Sequence, residues 1–144
     1  MKLIKYILPL FLMIPLMSDA QCRAFTKNKV LPLLSGYVQN DNFNSAMLVP
    51  GDEAELLMTF YAGKEYRLIV MAHPILGDVE FEVRDTNDQL VYTNKDNANN
   101  KTSFDFKMSN TQQLIVRVRV PEAQSSISPH EGCVTVMSGS KELK

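Results

Sequence analysis

The chain has no tryptophan, two histidines and two cysteines among its 144 residues, and each shortage closes off a chemistry. Two cysteines cannot furnish a structural zinc site, which takes four ligands. His73 and His130 stand far apart and neither belongs to an H-E-x-x-H or comparable pattern. Each reads as a solvated loop histidine. A formal net charge of −1 lacks the one-signed excess that draws a protein to nucleic acid or to a charged membrane surface. Beyond Met17 no apolar run approaches the roughly 20 residues that cross a bilayer. Glycine is sparse, and the Gly-Lys pair in "AGKEY" lacks the glycine loop and the following Ser or Thr of a phosphate-binding loop. "SGSK", Ser138 to Lys141, has S-x-x-K spacing, but that motif opens a helix and has companion motifs, whereas here it trails a strand. These absences nominate no catalytic residue, no metal ligand and no cofactor, and the chain reads as a non-enzyme.

What is present begins with "MKLIKYILPLFLMIPLMSDA", residues 1–20: basic Lys2 and Lys5, an apolar stretch with two prolines, and a small-residue exit. That is the layout of a secretory signal peptide, and cleavage after Ala20 leaves residues 21–144 as a single domain. Export sets the question of Cys22. A bacterial lipoprotein signal presents leucine three residues before its modified cysteine and a small residue just before it; Asp19 and Gln21 stand there instead. An even cysteine count in an oxidising compartment favours a disulfide between Cys22 and Cys133. Lipid on Cys22, free thiols and pairing with another chain remain the alternatives.

The body is patterned with period two. "VEFEVR" sets Val79, Phe81 and Val83 against Glu80, Glu82 and Arg84; "SFDFKM" sets Phe104, Phe106 and Met108 inward; "LIVRVRV" sets Leu114, Val116, Val118 and Val120 inward with Arg117 and Arg119 outward. One core is expected around Phe81, Val83, Phe104, Phe106, Val116 and Val118. "EYRLIVMA", Glu65 to Ala72, is apolar on both alternations and reads as a central strand covered on both faces. "AELLMTFY", Ala54 to Tyr61, precedes it across a hairpin-sized "AGKE", "DTND" joins Val79–Arg84 to "QLVYTN", and "CVTVMSG" is the last strand. Tyr61, Tyr66 and Tyr92 read as core tyrosines. About seven to eight short strands without helical crossovers make an antiparallel β-sandwich. Before them, Arg23 to Val38 is expected to make one or two helical turns and then extend, because Pro32 interrupts; "PEAQSSISPHEG" is expected to cross between sheets.

The order "GKEYRLIV", "VEFEVRDTNDQLVYTN", "SFDFKMSNTQQLIVRVRV" and "GCVTVMSG" resembles small exported β-sandwich proteins of Bacteroidetes-type bacteria and, more distantly, the bacterial pre-peptidase C-terminal domain. The resemblance implies a jelly-roll-like sandwich and an accessory role in the envelope or outside the cell. No protease domain precedes the module, and no functional residues transfer.

The richest polar stretch is "NKDNANNKTSFD". Its oxygens suit calcium or a sugar, and they equally suit a solvated loop. The Asp85–Asp88 turn lies a strand length away, about 20 Å, so any site here uses Asp96 with Asn94, Asn97, Asn99 or Asn100, and one carboxylate is too little charge for tight calcium binding. Asn100-Lys101-Thr102 has the form of a glycosylation sequon. The function expected is an exported, periplasmic or extracellular, non-catalytic binding or accessory module of the cell envelope, with a protein or glycan partner, no nucleic acid and no membrane span after processing. The alternative is a structural or assembly component acting through its sheet surface, which an exposed apolar patch or an open edge strand would favour.

Overall fold

The computed structural model describes residues 17–40, 43–98, 101–122 and 130–144. Most of the expected signal segment, Asn99, Asn100 and residues 123–129 lie outside the described residues. The strands are β1 (Val38–Gln39), β2 (Asn44–Leu48), β3 (Glu53–Phe60), β4 (Lys64–Ala72), β5 (Glu80–Asp85), β6 (Leu90–Thr93), β7 (Ser103–Met108), β8 (Gln112–Arg119) and β9 (Gly132–Glu142). They form two antiparallel sheets. Sheet A runs β1-β9-β4-β7 with β2 also on β9, and sheet B runs β3-β8-β5-β6. The fold is the all-β antiparallel sandwich that the alternation requires.

The inward sets match the pattern. Phe81, Val83, Leu114, Val116, Val118 and Val120 are buried, and with Leu68, Val70, Val134 and Val136 of sheet A they make the main core. Each such side chain taken out of water contributes about 1.5–3 kcal/mol. Phe104 and Phe106 are only half-buried, because β7 is an edge. They close that side of the sandwich as a run of rings: Tyr92 stacks on Phe104 at 4.0 Å, Phe104 on Phe106 at 4.9 Å, and Phe106 meets Phe60 edge-on at 5.1 Å. The turn between β5 and β6 is the expected tight one. The Asp85 carboxylate accepts from Asn87 N and Gln89 N, and Asp88 takes the left-handed conformation at φ 62°.

Four expectations are corrected. β3 and β4 do not form a hairpin: β3 pairs with β8 and β4 with β7 and β9, so "AGKE" turns a corner between the sheets, with Gly63 at φ 80°. A short connection serves either geometry, and the corner brings Phe60 and Tyr66, both inward-facing, to 4.9 Å. Tyr61, one residue beyond β3, is exposed rather than in the core. Two strands, β1 and β2, precede Ala54, where none is expected; both borrow their order from β9.

The fourth correction is the N-terminal arm. Helix α1 (Met17–Phe25) continues as a π-helix over Thr26–Val30 and a 3-10 helix over Leu31–Leu34, with Pro32 accommodated in the first turn of the last piece. The buried residues are Cys22, Thr26, Val30 and Leu34, one every four positions. Four residues of helix rise about 6 Å, close to the roughly 6.6 Å of two strand residues, so the arm runs in step with the outward residues of β9. Cys22 bonds Cys133, Thr26 Oγ1 meets Thr135 Oγ1 at 2.8 Å, and Val30 clusters with Met137 and Ile69. Leu34 sits against Gly139, where an added Cβ would come within 2.9 Å of it. An α-helix repeats every 3.6 residues and would drift off this line; the wider π turn offsets the drift. The arm is the second cover of β4, whose Ile69 faces it while Leu68 and Val70 face the main core.

Candidate functional site

Cys22 is settled by its partner. The two cysteines form a disulfide with Cα atoms 5.4 Å apart, so the sulfur that a lipid would need is already bonded. Met47 Sδ lies 3.4 Å from each sulfur.

The Asn-rich segment divides into an anchor and a tip. Asn94 is buried, and its side chain is spent on the main chain: Oδ1 accepts from Phe81 N, while Nδ2 donates to the carbonyls of Val79 and Lys101, each at 2.9 Å. That amide splices the start of β5 to the loop, with both its N–H donors spent on main-chain carbonyls. Asp96 is exposed and Asn97 half-buried in the turn that follows β6, whereas Asn99 and Asn100 lie outside the described residues. Among the described residues, no three His, Cys, Asp or Glu side chains gather as a metal cluster. His73 accepts from Ile75 N through Nδ1 and caps a short turn. Ser138 to Lys141 lies along β9, with Ser138 buried, and so does not open a helix.

Beside that turn spreads the outer face of sheet B. Register places Glu53, Arg119 and Glu80 in one row across β3, β8 and β5, and Glu55, Arg117 and Glu82 in the next. Lys95, from the turn after β6, extends the first row by an ion pair to Glu80 at 3.0 Å. Arg84 joins Glu82 at 2.9 Å. The pairing of β5 with β8 makes the arginines of β8 neighbours of Glu80 and Glu82, but their shortest ion pairs run the other way, Arg117 to Glu55 and Arg119 to Glu53. Four carboxylates and four cations alternate over a shallow trough of 390 Å³. The Glu55 carboxylate holds the Arg117 guanidinium above its ordinary pKa. A third row sets Leu57, Ile115 and Arg84 side by side, so that apolar groups border the charges on β3 and β8.

A second polar network lies on sheet A. Tyr37 donates to Glu65 at 2.7 Å, its ring lies under both Arg67 and Lys141, and Arg67 grips Asp105 through two nitrogens while donating to Leu33 O. The hydrogen bond from Tyr37, then that from Lys141, lowers the Glu65 pKa; the Arg67 hydrogen bonds lower that of Asp105; burial and the bond to Glu65 raise that of Tyr37. Its contacts all tie the end of the arm to β4, β7 and β9, which is a structural duty. Sequence reasoning missed this network because its members lie on four separate segments with no common spacing.

A groove of 760 Å³ runs between the arm and the edge of sheet A, past Arg23, Lys27, Phe43 and Asn44. No helix among the described residues is long and apolar enough to cross a membrane.

No family model matches the chain, and no curated protein matches it. Among solved structures it is similar to an Aeromonas hydrophila protein, PliG, a periplasmic lysozyme inhibitor of g-type lysozyme, at 10% identity and a TM-score of 0.52, over 74% of this chain and 90% of that one. At that identity the likeness is one of fold.

Proposed function

We infer that the chain is an exported, non-catalytic module that binds a protein through the outer face of sheet B. The observation that carries this reading is the set of four carboxylates and four cations, Glu53, Arg119, Glu80 and Lys95 beside Glu55, Arg117, Glu82 and Arg84, over a shallow, solvent-facing trough. Such a face offers no enclosed pocket for a small ligand, yet its ordered charges select a partner surface that bears the opposite pattern. The disulfide supports export, since such bonds persist in oxidising compartments. The fold likeness to a periplasmic lysozyme inhibitor supports a protein partner.

The first partner to test is g-type lysozyme, the enzyme that the structural neighbour inhibits. Immobilised protein should bind it saturably, with affinity falling as salt rises, and should slow its lysis of a cell-wall suspension in proportion to stoichiometry. Independently, a photo-reactive residue at Ile115, in the middle of the face, should capture a protein from an envelope fraction. Binding on a glycan array that disappears with Asp96→Ala, with no capture at Ile115, would overturn the reading in favour of a sugar-binding loop.

A further inference from the structure

Removal of a secretory leader takes small residues at the last and third-last positions before the cut. Past the apolar stretch the small residues are Ser18, Ala20 and Ala24. A cut after Ser18 would put Leu16 in the third-last position, and a cut after Ala24 would discard Cys22. The folded body depends on Cys22: it is buried, bonded to Cys133, and heads the line Cys22, Thr26, Val30 and Leu34 that the arm lays along β9. Ala20, with Ser18 in the third-last position, satisfies both demands and makes Gln21 the first residue. In the uncut chain the Ala20–Gln21 bond lies inside α1. Peptidases nick chain that is exposed and unwound, so the cut precedes the folding of the arm.

The two residues at that end differ sharply. The second, Cys22, is buried and tied to the last strand, whereas the first, Gln21, is exposed on the rim of a groove beside Ala24, Asn28 and Lys29. The side-chain amide of Gln21 has no hydrogen-bond partner in the fold. The cut sets a new α-amino group on the same residue as that free amide, within reach of its carbonyl carbon.

The charge on such an amine is out of place here. An α-amino group titrates at about pH 8 in water, so near neutrality it is mostly protonated. A positive charge is disfavoured at the start of a helical run. Gln21 to Val30 also carries Arg23, Lys27 and Lys29 and no acidic residue, since Asp19 leaves with the leader. Glu131 lines the groove beside Gln21, but Lys29 lines it too.

We propose that, once export has cut the chain after Ala20, Gln21 closes on itself to pyroglutamate, so that the mature protein begins with a neutral lactam next to its disulfide. The unprotonated α-amine attacks the side-chain carbonyl carbon. The N–Cδ bond forms, the Cδ–Nε2 bond breaks, and ammonia leaves with the proton given up by the amine. The step needs no oxidant, cofactor or second substrate. It removes a charge from the positive end of the arm and takes away the free amine that an aminopeptidase requires. The ring seals the end of the chain while the disulfide behind it holds that end against β9. The proposal rests on the export part of the reading above and is independent of the binding face on sheet B.

The test is to express the full chain in an exporting bacterial host and to read the purified protein by intact mass and by non-reducing peptide mapping. The chain should run from Gln21, be one ammonia lighter than the unmodified sequence, and show its first peptide linked to the one that contains Cys133. Edman degradation should give no sequence from that end until pyroglutamate aminopeptidase has removed the first residue. Gln21→Ala keeps the cut and should give a readable sequence from position 21. A wild-type protein that begins at Gln21 with its amine free would overturn the ring and leave the export reading standing. Retention of residues 1–20, or lipid on Cys22, would overturn both. A mature chain that begins elsewhere would overturn the assigned cut, and a blocked end in Gln21→Ala would show that the block is not the lactam.

Discussion

Thr26 and Thr135 hold the arm to β9 through a single bond between two hydroxyls, both wholly buried and 2.8 Å apart. Replacing Thr26 with valine keeps the volume of the side chain and removes its oxygen, leaving the Thr135 hydroxyl in a dry interface without this partner. A buried polar group stripped of its hydrogen bond costs about 1–3 kcal/mol, whereas removing both partners together can be nearly neutral. Thr26→Val and Thr135→Val should therefore each lower stability by about 2 kcal/mol, and the double variant should return to within about 0.5 of the parent. In thermal unfolding each single variant should melt roughly 6–12 °C lower, since a kcal/mol corresponds to about 3–6 °C for a domain of this size. Urea titration of the parent, the two single variants and the double variant gives the coupling energy. Additive losses would refute the reasoning, because they would mean that each threonine stabilises through some other contact. Neutral single variants would refute it as well, because the bereaved hydroxyl would then have found an alternative acceptor.

Three further outcomes follow from the same structure. Replacing Cys22 and Cys133 together by serine removes a link spanning 111 residues; in the chain-entropy account this costs about 4.8 kcal/mol, read as a fall in the urea midpoint. Asn94→Ala leaves Phe81 N and the carbonyls of Val79 and Lys101 unpaired, and should cost about 2–4 kcal/mol, whereas Asp96→Ala on the exposed tip should leave stability within about 0.5. Asp105 and Glu65 have depressed pKa values, Asp105 through the Arg67 hydrogen bonds and Glu65 through Tyr37. Their stabilisation is therefore complete above the unfolded carboxylate pKa near 4 and is lost as pH falls through the lower folded values. A melting temperature followed from pH 6 to pH 2 should decline less steeply for Asp105→Asn than for the parent.

The sandwich is legible in the sequence wherever one face is wet and the other dry. Val79 to Arg84, Ser103 to Met108 and Leu114 to Val120 alternate without a break, and a strand half in water has no other way to bury three large side chains. Partner choice is not legible, because alternation states which face is inward and says nothing of the neighbour. For that reason the corner at Gly63 looks like a hairpin until Phe60 and Tyr66 are seen facing each other. The arm hides for a different reason. Its buried set, Cys22, Thr26, Val30 and Leu34, repeats every four residues, includes a polar member and makes sense only beside β9. Of the candidate loop, the richness in Asn is visible but its division of labour is not. Asn94 reads as a ligand and proves to be a splice between strands, since only the fold brings Val79, Phe81 and Lys101 around it.

The place of β9 has a consequence for how the chain comes into being. The last strand made is the central strand of sheet A, pairing with β1, β2 and β4, and it is also the track for the arm and the holder of the second sulfur. A chain that emerges N-terminus first therefore brings out Cys22 and the arm long before anything exists for them to grip. Until Gly132–Glu142 arrives, β4 lacks its longest partner and shows apolar side chains on both faces. Sheet A cannot grow strand by strand from its beginning. It is complete only once that segment is present, and chains truncated before Gly132 should remain open to proteases and to thiol reagents at Cys22.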